Sequence, residues 1–284
     1  MTDSVAPDAA IVTRRLDLPE ASIAVWDRAG TGAPIILVHG NSCSKDAFAP
    51  LFAARALAGR RLIALDLPGC GESSDAHSPA DVYTLPGLAD VVAGVCARMA
   101  ILSPIVVGWS LGGHVAIEAL NRGANFRGLV LTGTPPCGPD PAEIAATFLP
   151  VPGAEVMSDP APTVEALERY VDQIFAPSKP SEALRRAATR ADGRMRARIF
   201  EHIFSNPDAT PQRQTVARWP GPTLVLQGRG EPFFDPHGLE TLAWGQLWRG
   251  ACQWIDGAGH APFYSHPDDY ARTLAAFAAD LAGD

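Results

Sequence analysis

The chain has 284 residues, of which 47% are hydrophobic and 19% charged, with a formal net charge of −8. This composition excludes a disordered chain and a coiled coil, and the acidic balance argues against nucleic acid or an anionic membrane as the main partner, because phosphate binding rests on clustered Lys and Arg. The five cysteines (Cys43, Cys70, Cys96, Cys137, Cys252) form no Cys-x-x-Cys pair and no cluster at zinc spacing. The first eight residues lack the basic and apolar regions of a secretory signal, and no stretch is long and apolar enough to span a bilayer. A reduced, cytoplasmic protein without metal or cofactor is therefore expected.

In chain order, two short β-rich segments, Ile11 to Leu18 and Ser22 to Asp27, precede a buried-strand run from Pro34 to Val38 that ends at His39-Gly40-Asn41-Ser42. A further strand, Arg61 to Asp66, runs into the turn-rich Leu67-Pro68-Gly69-Cys70-Gly71-Glu72-Ser73. Helical patterns are expected at about 45–57 and 84–100, and strands at Ile105–Val107, Phe126–Leu131 and Thr223–Gln227. Continuous apolar strands alternating with helices imply an α/β fold with a mostly parallel sheet covered on both faces, which binds ligands beyond the carboxyl ends of its strands.

The alternation stops between about 135 and 219, where eight prolines from Pro135 to Pro162 separate short helices. The expected division is a core over 1–134, an inserted helical cap over 135–219, and the rest of the core over 220–284. One cap helix starts at Thr163, a plausible N-cap, and carries Val164, Leu167, Val171 and Ile174 at helical spacing. A second follows Pro180-Ser181 and is studded with Arg185, Arg186, Arg190, Arg194, Arg196 and Arg198, read as a solvated face. From Pro267 onward, Tyr270, Leu274, Phe277 and Leu281 share the stripe of a packing helix.

The chemistry is nominated by Gly108-Trp109-Ser110-Leu111-Gly112, which lies between the apolar run Pro104 to Val107 and the helix-like run Gly113 to Leu120. This is the strand–turn–helix setting of a nucleophile elbow, and it nominates Ser110 as the nucleophile. A serine hydroxyl is unreactive at its own pKa, so it requires a base, a group orienting that base, and donors for the oxyanion. His260, in the small-residue loop Gly257-Ala258-Gly259-His260-Ala261-Pro262 after the strand Cys252 to Ile255, is the expected base. Its rivals are His39, read as organising the oxyanion loop, His114 on the helix after the elbow, and His266 at the start of the last helix. The loop after Gln227 offers two acids, Glu231 and Asp235, the second also suited to capping a helix near Pro236. The oxyanion hole is expected from the backbone N–H groups of Leu111 and Asn41. The Asn41 side chain suits either substrate contact or an Asx turn, and Cys43 beside it is read as a small loop residue.

These residues identify the chain as a member of the α/β-hydrolase fold superfamily, with the elbow, His39-Gly40, the Asp66…Gly69-x-Gly71-x-Ser73 turn, the acid loop at Gly228 and the His260 loop spanning about 34 to 282. Within it the chain resembles the metal-independent N-acyl-homoserine-lactone lactonases. The resembling strings are His39-Gly40-Asn41-Ser42, Gly108 to His114, Thr132-Gly133-Thr134-Pro135-Pro136, Asp192-Gly193-Arg194, Gly228-Arg229-x-Glu231-Pro232-Phe233 and Ala258 to Phe263. One departure is Gly230, where the family string has an acidic residue. The resemblance implies Glu231 as the acid, Tyr170 as a cap tyrosine near the lactone, and hydrolytic opening of acylated homoserine lactones. The substrate-contacting set is then Tyr170, Asn41 and Trp109. Phe148, Phe175, Ile199, Phe200, Ile203 and Phe204 are candidates to bury an acyl chain. The same residues suit a general carboxylesterase, and a non-catalytic receptor on this fold would keep them for binding; either way the expected partner is a small lactone or ester.

Overall fold

The computed structural model describes residues 10–205 and 210–282, the side chains of residues 204 and 205 excepted. Eight strands form one sheet: β1 Ile11–Asp17, β2 Ser22–Arg28, β3 Thr31–Val38, β4 Arg60–Leu65, β5 Ile105–Trp109, β6 Gly128–Thr132, β7 Thr223–Gly228 and β8 Gln253–Ile255. Their spatial order is β1-β2-β4-β3-β5-β6-β7-β8. The pairings of β2 with β1 and β4 are antiparallel and all the others parallel. Strands β5, β6 and β7 are buried along their whole length, the signature of a sheet covered on both faces. This is the α/β-hydrolase fold.

The helices are α1 Ala49–Ala53, α2 Pro79–Val82, α3 Leu85–Arg98, α4 Leu111–Asn121, α5 Pro141–Thr147, α6 Val164–Phe175, α7 Glu182–Arg190, α8 Gly193–Ser205, α9 Gln212–Arg218, α10 Pro262–Ser265 and α11 Pro267–Asp280. Alternate residues of the central strands face opposite layers. Ile35, Leu37, Ile105 and Val107 pack with Phe52 of α1 and Leu274 and Phe277 of α11. Ile36, Val38 and Val106 pack with Leu88 and Val91 of α3 and Val115 and Ile117 of α4. Between the adjacent strands β6 and β7 the chain forms α5 to α9. Thr163 caps α6 by accepting from the Ala166 N–H, and Ser181 caps α7 by accepting from the Leu184 N–H.

Two sequence readings are corrected. The helix expected over 45–57 is instead a 3₁₀ turn at Lys45–Phe48, the short α1, and a second 3₁₀ turn at Arg55–Leu57. Pro50 has no N–H to continue a helix through this segment, and Ala54 is extended at φ −70°, ψ 124°. The arginines of the insertion are not one solvated face. Arg185, Arg194 and Arg198 form exposed ion pairs with Asp172, Asp75 and Glu201. Arg196, however, is 3% exposed and donates to the Asp159 carbonyl and to Ser42 Oγ. Asp235 takes the capping role its position beside Pro236 suggests, accepting from the His237 N–H at 3.0 Å at the head of the 3₁₀ turn Pro236–Thr241.

The turn after β4 is held by a buried ion pair that composition does not reveal. Lys45 Nζ lies 2.8 Å from Asp66 Oδ2 with both side chains sealed from solvent, and Asp66 also accepts from the backbone N–H groups of Lys45 and Glu72. Removing one partner of such a pair strands a buried charge. Lys45→Met is therefore expected to lower unfolding free energy by about 3–5 kcal/mol, read as a shift of the urea midpoint. An unchanged midpoint would contradict this role.

Candidate active site

The carboxyl ends of β3, β5, β6 and β7 converge on Ser110. The turn from β5 into α4 puts Ser110 at φ 54°, ψ −122°, a conformation L-residues rarely adopt. Its N–H donates to the Thr132 carbonyl, and its own carbonyl accepts from Thr134 Oγ1 at 2.9 Å. The glycines are needed because backbone passes where side chains would stand. A Cβ on Gly112 would collide with the Val38 carbonyl, and one on Gly108 with Gly113 Cα. Gly40 brings the β3 loop against Ser110, where a Cβ would lie 3.0 Å from the serine Cβ.

His260 and Glu231 face each other on the loops after β8 and β7. His260 Nδ1 lies 2.8 and 2.9 Å from the two Glu231 carboxylate oxygens, the side chains being almost wholly buried. The carboxylate also accepts from Gln227 Nε2 at 2.9 Å and from the Phe233 N–H at 3.0 Å. Asp235, engaged in its cap, makes no bond to His260 among the described residues. Ser110 Oγ carries no hydrogen bond among the described residues, so the bond to His260 Nε2 that nucleophilic attack needs is not formed here. Such bonds are commonly long before substrate binds.

Asn41 and Leu111 border the same cavity as Ser110, a space of about 320 Å³ also walled by His114, Phe148, Met157, Ile199, Phe200 and Ile203. As the first residue of α4, Leu111 has an N–H without an intrahelical acceptor. The Asn41 side chain also makes a contact within the protein. Its Nδ2 donates to the Met157 carbonyl at 2.9 Å, tying the loop after β3 to the β6–β7 insertion. His39 Nε2 accepts from the Leu67 N–H, so its Nδ1–H donates to the Gly40 carbonyl and shapes this loop. Burial pushes the Cys43 thiol up, leaving it an inert filler.

Two readings of substrate contact change. Trp109 is 1% exposed and does not wall this cavity; its Nε1–H donates to the His260 carbonyl at 3.0 Å and its ring packs on Phe48, Phe175 and Phe263. Strand alternation turns it away from the carboxyl-end crevice, so it positions the His260 loop. Tyr170 also stands off this cavity. Its ring lies 6.4 Å from that of Phe233, which in turn lies 4.7 Å from His260. The Tyr170 hydroxyl has no protein partner among the described residues, and burial raises its pKa. Phe175 packs under Trp109 rather than on the cavity, and the Phe204 side chain lies outside the described residues.

Gln227 escaped the sequence reading. Besides holding Glu231, its Oε1 accepts from the Gly133 N–H at 2.7 Å, and Gly133 in turn abuts the His260 ring. A polar residue closing the apolar run Thr223 to Leu226 was the available signal. Among the described residues, no group of three or more His, Cys, Asp or Glu is placed to hold a metal ion, and no helix is long and apolar enough to cross a membrane.

Fold and site together define a hydrolase, and residues 35–273 match the alpha/beta hydrolase family, to which the chain belongs. It is 30% identical over 263 residues to the pimeloyl-acyl-carrier-protein methyl ester esterase of Xanthomonas campestris pv. campestris, covering 90% of this chain and 98% of that one. To the esterase of the same description from Yersinia pseudotuberculosis it is 29% identical over 283 residues, covering 89% of this chain and 96% of the other. Among solved structures it resembles the N-acyl homoserine lactonase AidH complexed with N-butanoyl homoserine, at TM-score 0.90 and 35% identity over 95% of this chain and 97% of that one. A mutant of the same lactonase complexed with N-hexanoyl homoserine gives TM-score 0.91 and 35% identity, over 96% and 98% of the chains.

Burial lowers the pKa of both His39 and His114, although Asp66 and Gln212 respectively oppose the shift. A histidine with a lowered folded pKa binds protons more weakly than in the unfolded chain. Stability is then lost as pH falls through the unfolded value of about 6.5. The urea midpoint is expected to drop between pH 7.5 and 5.5; a midpoint that held or rose would contradict neutral buried histidines.

Proposed function

We propose that the protein is a metal-independent serine hydrolase that opens the lactone ring of N-acyl homoserine lactones, an activity of the quorum-quenching type. The observation that carries this reading is the buried Glu231–His260 pair beside the Ser110 elbow, in a chain 35% identical to a lactonase over nearly its full length. Ser110 Oγ attacks the ring carbonyl while His260 Nε2 takes its proton, and Glu231 stabilises the imidazolium through Nδ1–H. The N–H groups of Asn41 and Leu111 receive the oxyanion. His260 returns the proton to the ring oxygen, then activates the water that hydrolyses the acyl-enzyme. The freed alcohol stays tethered to the acyl group, so deacylation must outrun re-closure.

Residues 135–219 act in this reading as a cap whose apolar groups Phe148, Ile199, Phe200 and Ile203 hold the acyl chain. A second reading, a carboxylesterase with the same machinery, is favoured by the 29–30% identity to methyl ester esterases over 89–90% of the chain.

Ring opening of N-hexanoyl homoserine lactone, followed by chromatography of N-hexanoyl homoserine, is expected to be fast and to survive exhaustive EDTA treatment. Brisk aryl-ester turnover without lactone opening would hand the function to the esterase reading, and loss on chelation restored by zinc would overturn the serine mechanism. Glu231→Gln is expected to cost orders of magnitude in kcat while Asp235→Asn costs little, because only the group bonded to Nδ1 sets the His260 tautomer. The reverse ranking would move the acid to Asp235.

A further inference from the structure

His114 sits one helical turn beyond Ser110 on α4 and walls the same cavity. The His114 N–H donates to the Ser110 carbonyl at 3.3 Å, which ties the two residues across the first turn. Its ring is held by Gln212 of α9, whose Oε1 lies 2.8 Å from His114 Nδ1. The same Gln212 atom receives the Cys137 backbone N–H at 3.3 Å. Because that N–H can only donate, the Gln212 atom is the carbonyl oxygen, an acceptor. His114 Nδ1 must then carry the hydrogen, and Nε2 carries a lone pair. Burial holds the ring neutral, since it lowers the His114 pKa despite the Gln212 bond.

Nε2 has no protein partner among the described residues, and it is not among the fully enclosed unpaired atoms. The other polar side chains at the cavity are otherwise placed. Asn41 Oδ1 accepts from Ser42 Oγ, Ser158 Oγ donates to the Glu155 carbonyl, and Glu155 itself is exposed at the rim. The cavity wall beside the nucleophile therefore presents an acceptor without a donor.

We propose that His114 Nε2 is a specificity-determining acceptor that binds an N–H group on the carbon next to the scissile carbonyl. This rests on the hydrolytic reading above and narrows its substrates to lactones and esters bearing an α-acylamino group. In such substrates the amide N–H stands two bonds from the carbon that Ser110 attacks, on the side of the α-carbon. A site built to take an N–H discriminates against the isostere lacking it, because the buried acceptor is left unpaired.

Two matched pairs test the assignment: N-hexanoyl homoserine lactone against α-hexanoyloxy-γ-butyrolactone, and the 4-nitrophenyl esters of N-hexanoylglycine against hexanoyloxyacetic acid. Each pair exchanges only the N–H for oxygen. The wild type is expected to favour the N–H member in kcat/KM by roughly 3–10-fold, the scale of one net hydrogen bond. In His114→Phe the ratio should fall to about 1, read within the variant so that any general loss of rate cancels. Gln212→Leu, which keeps the imidazole but frees its tautomer, should lower the ratio too. A wild-type ratio near 1 in the pair or pairs turned over, or a ratio unchanged in His114→Phe, would overturn the role. If the wild type opens no lactone, the lactonase reading fails while the ester pair still decides His114; no turnover of any of the four overturns both.

Discussion

Ser110 occupies φ 54°, ψ −122° because the chain must reverse from β5 into α4 within one residue. Holding a side-chain-bearing residue there costs of order 1–3 kcal/mol, which persists only where the surroundings over-determine it. Here they do so by close backbone contact. Gly112 lies against the Val38 carbonyl and Gly113 against Thr134, so neither position has room for a Cβ. The same crowding sets Ser110 at the head of α4, beside the Leu111 N–H that has no intrahelical acceptor. Every other part of the site is arranged around that point.

The parallel register then brings the partners in. Trp109 pairs with Thr132 across β5 and β6, and Gly228 pairs with Ile255 across β7 and β8, so the loops after these strands emerge at one edge. Trp109 and Gln227, the last or next-to-last residues of their strands, turn into the body of the protein. From there they hold the His260 carbonyl, the Glu231 carboxylate and the Gly133 N–H. His260 is thus held at its carbonyl by Trp109 and at its Nδ1 by Glu231, which Gln227 fixes in turn. The insertion is fastened to this frame at the loop after β3, by Asn41 to the Met157 carbonyl and by Arg196 to Ser42 Oγ.

The strands and the elbow were legible because their signals are local: fully apolar runs for β5, β6 and β7, and glycines two residues either side of Ser110. The choice between Glu231 and Asp235 was not legible from spacing, since both stand in one loop and only its path decides which carboxylate meets His260; the family string favoured Glu231. Trp109 was misread because its place beside the nucleophile hides the alternation that turns it inward. The contacts of Asn41 with Met157, and of His114 with Gln212, join residues 116 and 98 positions apart. No periodicity or short motif encodes such pairings, and the buried Lys45 was hidden for the same reason.

The central claim is that Ser110 is the nucleophile of a hydrolytic site. Its most direct test is stoichiometric reaction with a fluorophosphonate, followed by peptide mass spectrometry and a lactone-opening assay on the same sample. The account predicts one adduct, on the peptide carrying Ser110, with lactone opening abolished in proportion to labelling. An adduct elsewhere, or full labelling of Ser110 with lactone opening intact, would contradict it.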